Sequence, residues 1–329
     1  MQKNKAVLTK TPLRITFTGG GTDIPSFYKE YGPGRVISAA INKYIYVLVN
    51  KKFAGDIKVN YSIIERANHA EEIKHPSVRE ALLMLGIDRG IEIVSISDIP
   101  SGGTGLGSSS AFLVGLLNAL HAWQGEETTQ KQLAEEAIKI EREILKEPGG
   151  KQDQYISAFG GIQYMEFKKD ESVMLKPITL SETSKIRLKD NLLMLYTGSQ
   201  RKSTEIHKLQ AQEIPNKVES YFKMREITSD LYDSFEKDII DNTGRLLHEN
   251  WILKKQLAQN ISNPEIDSLY NSALKEGAQG GKLIGAGGSG FLLFYAEKEK
   301  HNNIKNSLKL NAEPFDFDNQ GSRIAYIAD

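Results

Sequence analysis

One glycine- and serine-rich loop constrains this chain more than any other feature. It reads Asp98-Ile-Pro-Ser-Gly-Gly-Thr-Gly-Leu-Gly-Ser-Ser-Ser-Ala111, with four glycines in the six positions 102–107. A β-type run, Ile91–Ile96, precedes it, and a segment apolar nearly all round, Ser108–Trp123, follows. Glycine lets the backbone approach an anion closely. Successive N–H groups can then point at phosphate oxygens, and the following helix start adds positive potential. The loop lacks the G-x-x-x-x-G-K-[ST] pattern, and no lysine follows its glycines. It also fails G-x-G-x-x-G, because Gly105-Leu-Gly107 runs on to Ser110. A flexible turn closed by a serine N-cap is the plain alternative; four glycines and three serines exceed what a cap requires. The loop is read as a phosphate cradle feeding a buried helix.

Around this loop the first third is strand-rich. Ala6–Leu8 and Arg14–Phe17 are short strand candidates, and Val36–Asn50 is dense in β-branched and aromatic residues. Ile57–Tyr61 is a further strand, and Ser77–Leu85 is a short helix stopped by Gly86. Thr129–Leu145 reads as one amphipathic helix and Gln152–Phe159 as another. Strands Gln163–Phe167 and Ser172–Leu175 follow. The polar stretch Ile178–Asp190 reads as a boundary, which divides the chain into units 1–185 and 186–329. The second unit carries strand Leu192–Tyr196, a long helical region over Lys202–Gln259, helix Pro264–Gly277, a strand–glycine loop–strand from Lys282 to Tyr295, and a last strand Ile324–Ile327. The pattern is α+β with two domains.

Composition narrows the function classes. Acidic and basic residues balance at 42 each, so no nucleic-acid footprint and no polybasic membrane patch is expected. There is no cysteine, which excludes disulfides, thiolate catalysis and Cys-ligated metal. The N-terminus lacks a secretory h-region, and the longest apolar stretch is about half a membrane span. These features suit a cytoplasmic protein. The six histidines show no metal-ligand spacing and read as structural or surface groups.

At the loop the sequence resembles the GHMP kinases, whose signature is P-x-x-x-G-L-G-S-S-A. Pro100, Gly105, Leu106, Gly107, Ser108 and Ser109 match; Ser110 stands where alanine is common. Two further motifs occur in the family's order, Thr11-Pro-Leu-Arg-Ile-Thr-Phe-Thr-Gly-Gly-Gly-Thr-Asp23 and Ile284-Gly-Ala-Gly-Gly-Ser-Gly-Phe291. The resemblance implies an N-terminal domain like ribosomal protein S5 domain 2 and a ferredoxin-like C-terminal domain. It also implies ATP as phosphate donor, Mg²⁺, and a small-molecule sugar phosphate as acceptor; a homodimer is compatible with it. Segments 12–28, 61–82, 149–161 and 196–206 resemble the heptose 7-phosphate kinases within the superfamily. That likeness implies phosphorylation of an anomeric hydroxyl, with a product feeding nucleotide-activated heptose for surface polysaccharide. An L-fucose or uronic-acid kinase, or a non-catalytic binding member, is the alternative.

The resemblance also assigns roles. Asp153, seven residues before Gly160-Gly161, matches the family's aspartate facing the attacking hydroxyl; an N-cap is its plain alternative. Arg14 occupies the family's basic position and would keep that carboxylate ionised. Pro100, Gly102, Gly103, Gly105, Leu106, Gly107, Ser108, Ser109 and Ser110 form the nucleotide loop. Ser109 and Glu141 match the Mg²⁺ ligands, with Glu143 the rival if the register slips. Gly21, Thr22 and Asp23 would meet sugar hydroxyls, and Lys151 and Arg201 are candidates for the distal phosphate.

Overall fold

A computed structural model describes residues 5–100, 103–198 and 203–328. Eight strands build the larger sheet. β1 (Ala6–Thr18) and β2 (Gly34–Lys51) form its spine, and α1 (Pro25–Tyr31) bridges them. The two strand candidates in the first 18 residues are one strand. Pro12, which has no N–H to donate, sits where the β1–β2 register shifts, so the ladder continues past it. β3 (Ile57–Asn60), β4 (Ile64–Ala67) and β5 (Ile91–Ser97) extend the sheet beside the C-terminal half of β2. β6 (Ile162–Phe167) and β7 (Val173–Pro177) extend it beside the N-terminal half. Every pairing is antiparallel except β3–β5.

Helices cover one face. After α2 (Pro76–Met84) comes α3 (Ser108–Gln124), buried from Ser110 to Trp123 except at the partly exposed Phe112, as its nearly all-round apolar sequence requires. It packs on β1 and β2. α4 (Gln130–Ile138) does not run to Leu145. It passes into a π-helical turn, Lys139–Ile144, closed by Leu145 N–H donating to Ile140 O at 2.9 Å. α5 (Gln152–Phe159) packs on α3 and α4.

The polar stretch expected as a boundary contains a helix, α6 (Glu182–Asn191). Only Leu188 of it is buried, so it has no apolar stripe to betray it; Ser181 Oγ caps it at Ser184 N. A second sheet follows, ordered β8 (Leu192–Tyr196), β10 (Phe291–Tyr295), β9 (Gly280–Leu283) and antiparallel throughout. α7 (Ser203–Glu236), α8 (Thr243–Lys254), α9 (Pro264–Lys275) and α10 (His301–Leu308) accompany it. The last strand, β11 (Arg323–Ala328), lies outside this second unit: it pairs β1 along the edge of the first sheet. Residues 323–328 therefore belong structurally with the N-terminal half, across the expected 186–329 boundary.

Candidate active site

Two adjoining cavities lie where the halves meet. The first, about 190 Å³, is lined by the loop residues Gly103, Thr104, Gly105 and Gly107–Ser110, by Glu141 and Asp153, and by Ile284–Gly287 from the C-terminal half. The second, about 50 Å³, is lined by Gly20, Gly21, Asp23, Gln152, Gln210 and Lys254 among others. Arg14, Arg142, Asp153, His207, Gly285 and Ala286 face both.

The loop curls because φ is positive at Gly103, Gly105 and Gly107 and not at Thr104 or Leu106. That alternation turns successive N–H groups to one side, as in an anion nest. Its close approach to the C-terminal half depends on Gly105. A Cβ there would lie 2.3 Å from Ile284 O. Thr104 Oγ1, Ser108 Oγ and Ser289 Oγ all line the first cavity, are buried and have no hydrogen-bond partner. Three unmet hydroxyls beside a nest fit a phosphate chain, whose oxygens accept hydrogen bonds.

Asp153 stands in the first turn of α5, where the two cavities join. Arg14, from β1, holds it in a bidentate pair: Nε donates to Oδ1 at 2.7 Å and Nη2 to Oδ2 at 2.8 Å. Nη1 of the same guanidinium donates to Gly105 O, and the Arg14 backbone N–H donates to Leu106 O at 3.0 Å. The arginine thus ties the carboxylate to the loop. Burial alone would raise the Asp153 carboxyl, but the Arg14 charge and hydrogen bonds outweigh it and hold it below the usual carboxylate range.

Glu141 lies in the π-turn, 1% exposed. It accepts from Ser110 Oγ at 2.9 Å, from Ser109 Oγ at 3.2 Å and from Gln154 Nε2. Glu143, the rival, is exposed and lines neither cavity. Among the described residues no group of three or more His, Asp or Glu could hold a metal. One carboxylate and one hydroxyl beside a phosphate cradle suit Mg²⁺, which keeps waters and phosphate oxygens in its shell. Glu147, on the same wall, is pushed above the usual range by burial and by Glu141.

Asp23 is 2% exposed and largely satisfied by protein. It accepts from Gly21 N at 3.0 Å and from Gln152 N and Nε2, both at 3.2 Å. Gln152 Oε1 in turn accepts from Thr16 and Ser38 hydroxyls at 2.7 and 2.8 Å. Gly150 is needed here, because a Cβ on it would lie 1.7 Å from Asp23 Oδ2.

Several expected site residues stand elsewhere. Thr22 lines neither cavity; its Oγ1 donates to Arg35 O at 2.8 Å and accepts from Arg35 N at 2.9 Å. Lys151 also lines neither, its Nζ lying 3.7 Å from Glu171 and 5.6 Å from the Tyr28 ring centre. Leu106 is fully buried in the core and acts through its backbone, while Pro100 is exposed at the strand exit. Gly102 and Arg201 lie outside the described residues.

Other residues at the site had no place in the sequence reading. His207, expected as a structural or surface group, faces both cavities, and burial with Lys254 and Arg142 pushes its imidazole down to about 4, so it is neutral near pH 7. Arg142 donates from Nε to Gly150 O at 2.9 Å. Lys254 is 5% exposed and donates to Gly285 O at 2.7 Å; burial, then Arg14, push its ammonium down to about 8 against Asp23 and Asp153. Leu247, Trp251 and Lys254 share one face of α8 at helical spacing. A lysine completing an apolar stripe was the available signal.

The description "GHMP kinases N terminal domain" matches residues 63–161, and "GHMP kinases C terminal" matches 233–313, together more than half of the chain. The chain belongs to the GHMP kinases. This GHMP kinase is 28% identical to the D-glycero-alpha-D-manno-heptose 7-phosphate kinase of Campylobacter jejuni, over 96% of this chain and 98% of that protein. The bifunctional fucokinase/GDP-fucose pyrophosphorylase of Arabidopsis thaliana is 24% identical over 92% of this chain; the match spans 31% of that longer protein. A crystal structure of a D-glycero-D-manno-heptose 1-phosphate kinase from Bacteroides thetaiotaomicron superposes with a TM-score of 0.81 at 24% identity, covering 98% of this chain and all of that one. The shared fold is the two-domain α+β architecture of these kinases. Among the described residues no helix is long and apolar enough to cross a membrane.

Proposed function

We propose that this GHMP kinase transfers the γ-phosphoryl group of ATP, with Mg²⁺, to the anomeric hydroxyl of D-glycero-D-manno-heptose 7-phosphate, giving the 1,7-bisphosphate. The observation that carries this reading is the Arg14–Asp153 pair standing where a phosphate-shaped cavity meets a second, hydroxyl-suited one. The likeness to the C. jejuni heptose kinase along nearly the whole chain supports the sugar. Such a product would feed nucleotide-activated heptose for surface polysaccharide.

In this reading residues 103–110 hold the polyphosphate through backbone N–H groups and hydroxyls. Glu141 and Ser109 would hold Mg²⁺, which neutralises phosphate oxygens when bound. Asp153 accepts a hydrogen bond from the attacking hydroxyl and aims it. As the new O–P bond forms and the bond to the leaving diphosphate breaks, Asp153 takes the hydroxyl proton. Because Arg14 holds its pKa low, Asp153 is a better orienting group than base, and loose phosphoryl transfer demands little from a base. Arg14 remains beside the transferring group as a fixed cation. Asp23, aligned by Gln152, faces the sugar.

The test is ADP release across heptose 7-phosphate, heptose 1-phosphate, free heptose, L-fucose, galactose, a uronic acid and mevalonate. Heptose 7-phosphate should give the highest kcat/KM, at least about tenfold above the free sugar, one charge-assisted contact being worth that much. Equal or better turnover of an unphosphorylated sugar overturns the substrate, and ligand binding without turnover of any acceptor overturns the enzyme.

A further inference from the structure

The second cavity has walls of opposite character. On the N-terminal side, Asp23 and Gln152 are engaged with each other and with Thr16, Ser38 and Gly21. On the side of α7 and α8 several polar atoms are unmet among the described residues. Gln210, 1% exposed, has no partner there for Nε2, and His207 has none for Nδ1. Among the same residues Lys254 Nζ makes one hydrogen bond, to Gly285 O, and no carboxylate lies within ion-pair distance of it. Two of its three N–H groups therefore have no acceptor among the described residues. Gly20 stands in front of the ammonium: a Cβ there would touch Nζ at 3.6 Å, an ordinary van der Waals contact.

A buried ammonium with one neutral acceptor is costly to fold around. Its neighbours add to that cost. The Arg14 charge acts on it, and its own charge acts on Lys282, which is 0% exposed with Phe17 O at 3.2 Å as its one acceptor among the described residues. An arrangement that leaves donors of Lys254 and Gln210 unmet at one wall becomes favourable when the cavity fills with oxygen acceptors. We propose that Lys254 is a further acceptor-binding residue: its ammonium donates hydrogen bonds to an oxygen of the sugar beside the hydroxyl that is phosphorylated. The chemistry recognised is an oxygen-rich acceptor, and Gln210 lies on the same wall. This rests on the kinase reading but not on the choice of sugar.

A purely structural role would be different in kind. Lys254 also anchors Gly285, and Gly285 lines both cavities. If anchoring were its whole purpose, removing the ammonium would weaken ATP binding as much as sugar binding. The experiment is Lys254→Met, which keeps the stem and its packing, beside Lys254→Arg, which keeps the charge. The sugar used is whichever member of the panel the wild type binds most tightly by calorimetry, whether or not it is turned over. Lys254→Met should weaken sugar binding, and raise sugar KM where there is turnover, by at least about tenfold. The KM for ATP should stay within about twofold, and Lys254→Arg should recover part of the loss. The Met variant should melt no lower than wild type, which removes misfolding as an explanation. Sugar affinity within about twofold of wild type, or a loss for ATP as large as that for the sugar, overturns the proposal and leaves the kinase reading standing. A wild type that binds no sugar of the panel overturns both.

Discussion

Replacing Arg14 with methionine isolates the interaction at the centre of the site. The change removes a bidentate pair at 2.7 and 2.8 Å and leaves the Asp153 carboxylate with no cation in hydrogen-bond reach. Breaking a fully buried ion pair in this way costs about 3–5 kcal/mol. The Asp153 side chain is 21% exposed to the cleft, so water screens part of the orphaned charge, and the loss at pH 7 should be about 2–3 kcal/mol. The pH dependence is more diagnostic than the size. In the wild type the folded pKa of Asp153 lies below its unfolded value of about 3.9, so the pair stabilises above about pH 4 and is lost as pH falls through the folded pKa. Without Arg14, burial pushes the folded pKa above the unfolded one. The folded state then holds its proton longer, and the variant loses stability as pH rises from about 4 through the new pKa.

Urea melts at about pH 4, 5.5 and 7 read this directly. The gap between wild type and Arg14→Met should widen with pH. The double variant Arg14→Met/Asp153→Asn should recover stability at pH 7 to within about 1 kcal/mol of wild type, since neither partner is then an unpaired charge. Its turnover should stay at least about 10²-fold down, because the group aiming the hydroxyl is gone. A gap constant across pH, or a double variant as unstable as the single, refutes the reasoning.

Two further outcomes test the other half of the site. Glu141→Gln keeps the shape that meets Ser109 and Ser110 but removes the charge; the Mg²⁺ concentration for half-maximal activity should rise at least about tenfold. Its thermal stability should hold or rise as the repulsion on Glu147 is relieved, and an unchanged Mg²⁺ requirement removes Glu141 from the metal site. Gly105→Ala places a methyl 2.3 Å from Ile284 O at a φ of +80°. Stability should fall by about 1–3 kcal/mol and KM for ATP should rise, with a smaller effect on the sugar, as steady-state kinetics will show.

The parts of this site that could be read in the sequence are those whose geometry is local. Residues 103–110 carry their own conformation in their glycines, and α3 follows from an apolar run that no exposed helix could carry. Arg14 and Asp153 are 139 positions apart; motif resemblance, not periodicity, joined them. The α7–α8 wall could not be read in that way, because no short motif links His207 and Gln210 to Lys254. Tertiary packing alone brings them to one cavity. The π-turn was invisible for a related reason. Ala137, Ile140 and Ile144 keep ordinary helical spacing, and what changes is one backbone bond, Leu145 N to Ile140 O. Thr22 shows the converse: a polar residue beside a glycine turn predicts a sugar ligand, whereas β2 places Arg35 where its backbone engages the hydroxyl at both lone pair and proton.

Charge makes the same point at the level of the whole molecule. The chain balances 42 basic against 42 acidic residues, which by itself argues for no anionic partner. The structure separates what the sum conceals. Arg14, Arg142 and Lys254 line the two cavities, and the buried Lys282 feels the charges of Lys254 and Arg14. Against them stand Glu147 and three carboxylates held by protein donors: Asp153, which Arg14 engages on both oxygens, Asp23, which Gln152 and Gly21 occupy, and Glu141, which two serines and Gln154 hold. Asp153, Asp23 and Glu141 are thus committed while Lys254 keeps N–H groups free, and a polyanion entering beside them meets cations already desolvated by folding. In that low-dielectric setting each contact is stronger than the same contact at the surface. A chain with no net charge can therefore still offer a cationic wall to an anionic ligand, because Arg14, Arg142 and Lys254 gather at two adjoining cavities.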